Sequence, residues 1–180
     1  MLREHLRQWP NDEGADRLRL QLGRLQHGQG RHDEAITTLS AVSADFAGRN
    51  EVLSELRDCY ARVEDDWVAT AQQRSTLAEL ANRYPDDGPI QEAYARSLAA
   101  GDEPELWRGA LRQYRIVETR SPEGSPRWFR AKYAIAQLHL RLGDPAKAAK
   151  IVRLTQLLHP ELGGPAMRDR FEQLLALSQR

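Results

Sequence analysis

A single cysteine, Cys59, stands among the 180 residues. One thiol can form no internal disulfide, and no cysteine-based zinc site is expected from it. Lysine is almost as scarce, with three residues against 23 arginines, a bias that reads as coding composition rather than chemistry. No apolar run approaches the roughly 20 residues that cross a bilayer. The opening MLREHLRQWPNDEG carries charges where a signal peptide needs its apolar stretch. With Met1 as the native start, the chain is expected in the cytoplasm. No alternation of apolar and polar residues marks a strand, so a glycine loop following a strand is also missing, as is a nucleophile elbow. His5, His27, His32, His139 and His159 show no metal-ligand spacing. His139 reads as a packing residue and His159 as a cation at a helix end, where the dipole favours it. No catalytic residue, cofactor or metal is assigned, and the expectation is that the chain is not an enzyme.

What is present suits a globular chain with a thin core, 41% hydrophobic and 29% charged. Glycine and proline fall at punctuation points rather than in long runs. The formal charge is zero but unevenly spread. Residues 1–106 carry 12 Arg/Lys against 20 Asp/Glu, and residues 107–180 carry 14 against 6, or −8 and +8. Such a dipole can steer encounters or favour head-to-tail self-association.

Helical spacing runs through the chain. Leu18, Leu22 and Leu25 hold it until Gly28 and Gly30, and Asp33-Glu34-Ala35 then open a helix faced by Ile36, Leu39 and Val42. Further helices are expected at 51–63 and 67–84, at 90–100 and 105–120, and at 127–142 and 146–159, with a solitary one at 166–177. Pro85, Gly101-Asp102, Ser121-Pro122, Gly143-Asp144-Pro145 and Gly163-Gly164-Pro165 punctuate them.

Paired helices with recurring landmarks identify a repeat. Starts at Asp16, Ser54, Gly88 and Phe129 place Gly23, Ala61, Ala95 and Ala136 at the eighth position, and Leu22, Tyr60, Tyr94 and Ile135 at the seventh. Ala35 and Ala148 recur at the twentieth, where Gln73 departs. Gly30 and Gly143 mark the turns, where Val68 stands in the second unit, and Pro85, Pro122 and Pro160 close the units, where Ala47 stands in the first. In these features the chain resembles the tetratricopeptide-repeat family, built of ~34-residue helix–turn–helix units. The resemblance implies an all-α, right-handed α-solenoid of about four such hairpins in a single domain, 1–180. Its units would be 16–49, 54–87, 88–125 and 127–160, with an N-terminal half-hairpin at 1–12 and a capping helix at 165–178. The starts are 38, 34 and 41 residues apart, so the array is irregular, and the third unit needs a longer second helix or a looser turn. Met167, Phe171, Leu174, Leu175 and Leu177 share the face a cap would bury.

In this family the first helices line a concave groove that holds peptides. The matching positions give a candidate ligand-binding set of Arg17, Arg24, Arg62, Arg96, Arg130, Tyr133, Gln137 and Arg141, with Leu140 nearby. Arginines stacked along one wall suit an acidic protein or peptide, because guanidinium pairs carboxylates through two parallel bonds. Against this, Glu92 and Asp58 in the same groove can pair with them. The family's Lys/Asn clamp for a terminal carboxylate does not match Leu20, Gln21 and Arg24, or Tyr133, Ala134 and Gln137, and is rejected. The basic–aromatic run from Arg127 to Lys132 would suit nucleic acid on a strand; on a helix Trp128 and Phe129 diverge, and packing under the previous unit is the better reading. The expected role is a non-catalytic protein–protein interaction scaffold, with no membrane insertion. The alternatives are a self-associating solenoid, or an appendage of a larger enzyme or secretion machine.

Overall fold

A computed structural model describes residues 2–10, 12–63 and 69–179. Among the described residues there are ten helices and no strand, so the protein is all-α. They are α1 (Leu2–Gln8), α2 (Ala15–Gly28), α3 (His32–Ser40), α4 (Arg49–Tyr60), α5 (Ala71–Arg83), α6 (Gly88–Ala99), α7 (Pro104–Arg120), α8 (Pro126–Arg141), α9 (Pro145–Leu158) and α10 (Pro165–Leu177). They gather into two compact units, the first ending at Arg83 and the second starting at Tyr84.

In the first unit α2 and α3 pack as a hairpin. Gly30 turns the chain at φ +74, a backbone state that costs glycine little. Gly23 lets the helices close: a Cβ there would lie 2.5 Å from Leu39 Cδ2. Helix α1 packs on α2, and Arg19 donates to the Pro10 carbonyl at 2.5 Å, yet Trp9 stays 61% exposed. Helix α4 packs chiefly on α3, burying Val52, Leu53 and Leu56. Here the second hairpin differs from its sequence reading. The helix stops at Tyr60, so Ala61 caps it in an exposed position rather than lying at a helix crossing. Helix α5 packs on α3 instead of closely on α4, which it reaches through the Arg49–Glu79 ion pair at 2.5 Å. Trp67 and Val68, read as the start of this helix and its turn, lie outside the described residues, as does Asn11 of the first turn.

The second unit follows its sequence boundaries closely. Helices α6 and α7 pair, as do α7 with α8 and α8 with α9. The longer second helix expected in the third repeat appears as the 17 residues of α7. Ala95, Ala110, Ala131 and Ala136 are fully buried. Around the first three pack Tyr114, Val117, Ile135 and Leu138, whereas Ala136 joins the cluster of Trp128, Phe129 and Phe171. Helix α10 lies against α8 and α9 and buries Phe171 and Leu174, but Leu177 remains exposed. Trp128 and Phe129 are both buried, and they pack in the cluster with Phe171, Leu174, Val152 and Leu162 rather than under the preceding helices. A Cβ on Gly163 would lie 2.7 Å from Phe129 Cδ2, and φ +82 favours glycine there as well.

Candidate functional site

The candidate arginines divide between the units. Arg17 and Arg24 project from α2 and, with Leu20, Gln21, Phe46, Ala47, Gly48 and Glu51, line a cleft of about 540 Å³. Arg24 is engaged there, donating to Glu55 Oε1 at 2.9 Å and to Glu51 Oε2 at 2.8 Å. The carboxylates of Glu55 and Glu51 raise its pKa further above the usual arginine value. Arg62 lies beyond the end of α4 and is exposed.

The remaining candidates belong to the second unit. Arg96 on α6 is half-buried. Arg130 on α8 forks onto Glu92, Nε to Oε1 at 2.6 Å and Nη2 to Oε2 at 2.9 Å, and Arg127 Nε reaches Glu92 Oε2 at 3.2 Å. Glu92 is only 4% exposed, so this network belongs to the fold. Arg141 donates to the Ala99 carbonyl at 2.7 Å and lies 4.3 Å from the Trp107 ring centroid. Tyr133 meets Phe171 edge-on at 5.6 Å, which turns it toward α10, and Leu140 packs in the same cluster. Gln137 is exposed.

A different group of cations converges in the second unit. Between α7, α8 and α9 lies a cleft of about 420 Å³ lined by Arg115, Glu118, Thr119, Lys132, Ile135, Lys147, Lys150, Ile151 and Leu154. These include all three lysines of the chain. Lys132 pairs with Glu118 at 2.5 Å and lies 5.0 Å from the Trp128 ring centroid. Arg115, Lys147 and Lys150 form no salt bridge among the described residues, so the cleft carries a surplus of positive charge. Helix spacing explains its assembly. Lys147, Lys150, Ile151 and Leu154 fall on one face of α9, at the separations that bring side chains together. The Asp144 carboxylate accepts from the Lys147 N–H at 3.0 Å and fixes the start of that helix. The sequence signal was available in the i, i+3, i+4 pattern of α9, but only the packing of α7 and α8 shows what joins it.

Two of the histidines depart from their sequence reading. His27, His32 and Cys59 come from α2, α3 and α4 and meet in one cluster, a convergence that linear spacing does not show. Burial, helped by the Glu55 and Asp58 carboxylates, pushes the Cys59 thiol up to about 12. Burial, then the neighbouring His27 and Arg62, hold His32 below the ordinary histidine value. His139 is buried as expected, with its pKa lowered by burial, and its Nε2 has no hydrogen-bond partner among the described residues. His159 ends α9, pairs with Glu123 Oε1 at 3.0 Å and meets the Trp128 ring edge-on at 5.0 Å.

No described helix is long and apolar enough to cross a membrane. No family model matches the chain, and no curated protein or solved structure matches it either.

Proposed function

We propose that the chain is a non-catalytic interaction module, built of tetratricopeptide-like hairpins as a right-handed solenoid, that holds an acidic segment of another protein. The observation that carries this reading is the cleft between α7, α8 and α9, where three lysines and Arg115 face one glutamate. Arginine supplies nearly all the cations of this chain, yet every lysine it has lines this one cleft. Lysine ammoniums are flexible point charges that can follow a run of carboxylates, whereas arginine suits one planar, bidentate partner. Ile135, Ile151 and Leu154 supply an apolar surface in the same cleft. The occupant that matches both is an amphipathic helix with carboxylates beside its apolar stripe. The arginines of α2 and α8 are weaker candidates, because Glu51, Glu55 and Glu92 already engage Arg24 and Arg130.

The test is fluorescence anisotropy of a labelled helical peptide with leucines along one face and glutamates beside them. The intact chain should bind it, with affinity falling as salt rises. Lys147→Glu with Lys150→Glu should weaken binding by roughly tenfold or more, about 1.4 kcal/mol per decade. Equal binding by that variant, with loss on reversing Arg24 and Arg62 instead, would move the site to the first unit.

A further inference from the structure

Three helices of the first unit bring two imidazoles and a thiol to one place. His27 lies in the last turn of α2, His32 opens α3 and Cys59 lies in the last turn of α4. The turn between α2 and α3 makes the histidines neighbours. The Gly30 N–H donates to the His27 carbonyl at 2.9 Å, the Arg31 N–H donates to the Gln26 carbonyl at 2.9 Å, and the positive φ of Gly30 reverses the chain. The two rings then lie 4.9 Å apart. His27 Nδ1 is 2.9 Å from Cys59 Sγ, and one ligand atom from each of the three residues lies within 4.8 Å of the others.

The donor set has a definite chemistry. It offers two imidazole nitrogens and one sulfur but no oxygen, which suits a borderline or soft cation and not magnesium or calcium. In a tetrahedral zinc site, with bonds of about 2.0–2.3 Å, neighbouring ligand atoms stand about 3.3–3.6 Å apart. The His27–Cys59 separation of 2.9 Å is shorter than that range, and the 4.8 Å within which all three atoms fall exceeds it. Binding therefore requires the side chains to shift by about an ångström. His27 and His32 are half-buried and so partly reached by solvent, whereas Cys59 is 0% exposed. The cluster also contains a buried polar atom that the fold leaves unsatisfied, because His32 Nδ1 has no hydrogen-bond partner among the described residues. Native structures seldom leave such an atom unpaired. Burial argues against use of Cys59 as a nucleophile toward a bulky substrate.

We propose that His27, His32 and Cys59 bind one Zn(II) ion, with water as the fourth ligand, and that the ion clamps α4 to the α2–α3 hairpin. Each histidine gives a nitrogen lone pair, and the thiol loses its proton to solvent as the S–Zn bond forms. The site lies in the first unit and does not depend on the acidic-peptide reading, which rests on a cleft of the second.

The full chain, stripped with chelator, would be titrated with Zn(II) against a competing indicator and, separately, with Co(II) as a spectroscopic probe. One equivalent of Zn(II) should bind and raise the Tm. His27→Ala, His32→Ala and Cys59→Ser should each weaken it by roughly tenfold or more, since even residues that merely support a ligand can cost that much. Co(II) should give a near-ultraviolet thiolate charge-transfer band in the intact chain and none in Cys59→Ser. His159→Gln, outside the cluster, should bind like the intact chain. Cys59 is buried and its variant must first show native helicity; the two histidine variants test the site without that burden. No uptake by the folded chain, uptake indifferent to both histidine variants, or cobalt binding without the thiolate band would each overturn the proposal.

Discussion

The two units solve the same problem, holding short helices together, by different means. All five helices of the second unit begin with proline in the first turn, and Asp87, Ser125 and Asp144 add side-chain caps to three of them. Proline presets the helical φ and wastes no donor there, while the cap oxygen satisfies one of the free N–H groups. In the first unit α2, α3 and α4 have neither device. Polar links between helices stand in its place. The Ser43 N–H donates to Asp16, Arg24 bridges to Glu51 and Glu55, Arg49 pairs with Glu79, and Gln73 reaches Thr37. Helices that begin on local signals need little help to start, whereas helices without them depend on contacts made across the chain.

The comparison is broken most severely at the aromatic that seats α10. Phe171 is fully buried among Trp128, Phe129 and Val152. Phe171→Ala should cost about 3–5 kcal/mol, seen as faster hydrogen exchange in α8 and α9, with α2 and α3 left unchanged. Next comes the Glu92 fork. Arg130→Ala leaves a 4% exposed carboxylate still paired with Arg127. About 2–3 kcal/mol should be lost in urea unfolding, less than for a fully buried pair because the Arg130 side chain is 23% exposed. Asp144→Ala removes the cap of α9 and should cost about 1 kcal/mol by the same measurement.

These differences also explain what could be read in advance. The second unit was legible because its boundaries are written locally: Pro-Asp-Asp-Gly-Pro, Ser-Pro, Gly-Asp-Pro and Gly-Gly-Pro each stop one helix or start the next. In the first unit the end of α4 lacks such punctuation, and helical spacing carried on past Tyr60 to Val63. A local signal near Ala71 was nevertheless present. Thr70 and Gln73 form a reciprocal capping box, with N–H to side-chain distances of 2.8 and 3.3 Å. The sites were less legible than the helices. Arginine positions on a helix wheel show which residues share a face, but not that Glu92 already holds Arg130, nor that α2, α3 and α4 bring Cys59 to two histidines. Those are facts of packing between segments about 30 residues apart.

A smaller and pH-dependent effect separates the units at Asp16. Burial raises its pKa, but hydrogen bonds from the Ser43 hydroxyl, Arg19 and the Ser43 N–H together outweigh it and hold the carboxyl below its usual value. A lowered folded pKa means that the unfolded chain binds the proton more tightly, so the stabilisation is present above the ordinary aspartate range and is lost as pH falls through the folded value. Asp16→Asn should therefore cost about 1 kcal/mol or less near neutrality and nothing in strong acid. Protection of α2 amides, followed from about pH 6 to about pH 2, should show the variant and the intact chain converging. A constant offset would detach Asp16 from the acid sensitivity of this unit.

The smallest effect is expected at Arg24, although two carboxylates engage it. Its two ion pairs span α2 and α4, yet its side chain is 46% exposed and Glu51 is 60% exposed. Water already solvates these charges, and ordering three long side chains has an entropic cost, so Arg24→Ala should change stability by about 0.5 kcal/mol, much less than Arg130→Ala. Raising the salt should shrink even that difference, while leaving the Glu92 fork nearly untouched. Urea unfolding of both variants at low and high salt measures the contrast directly. A loss at Arg24 as large as that at Arg130 would mean that polar links hold the first unit as firmly as the buried fork holds the second.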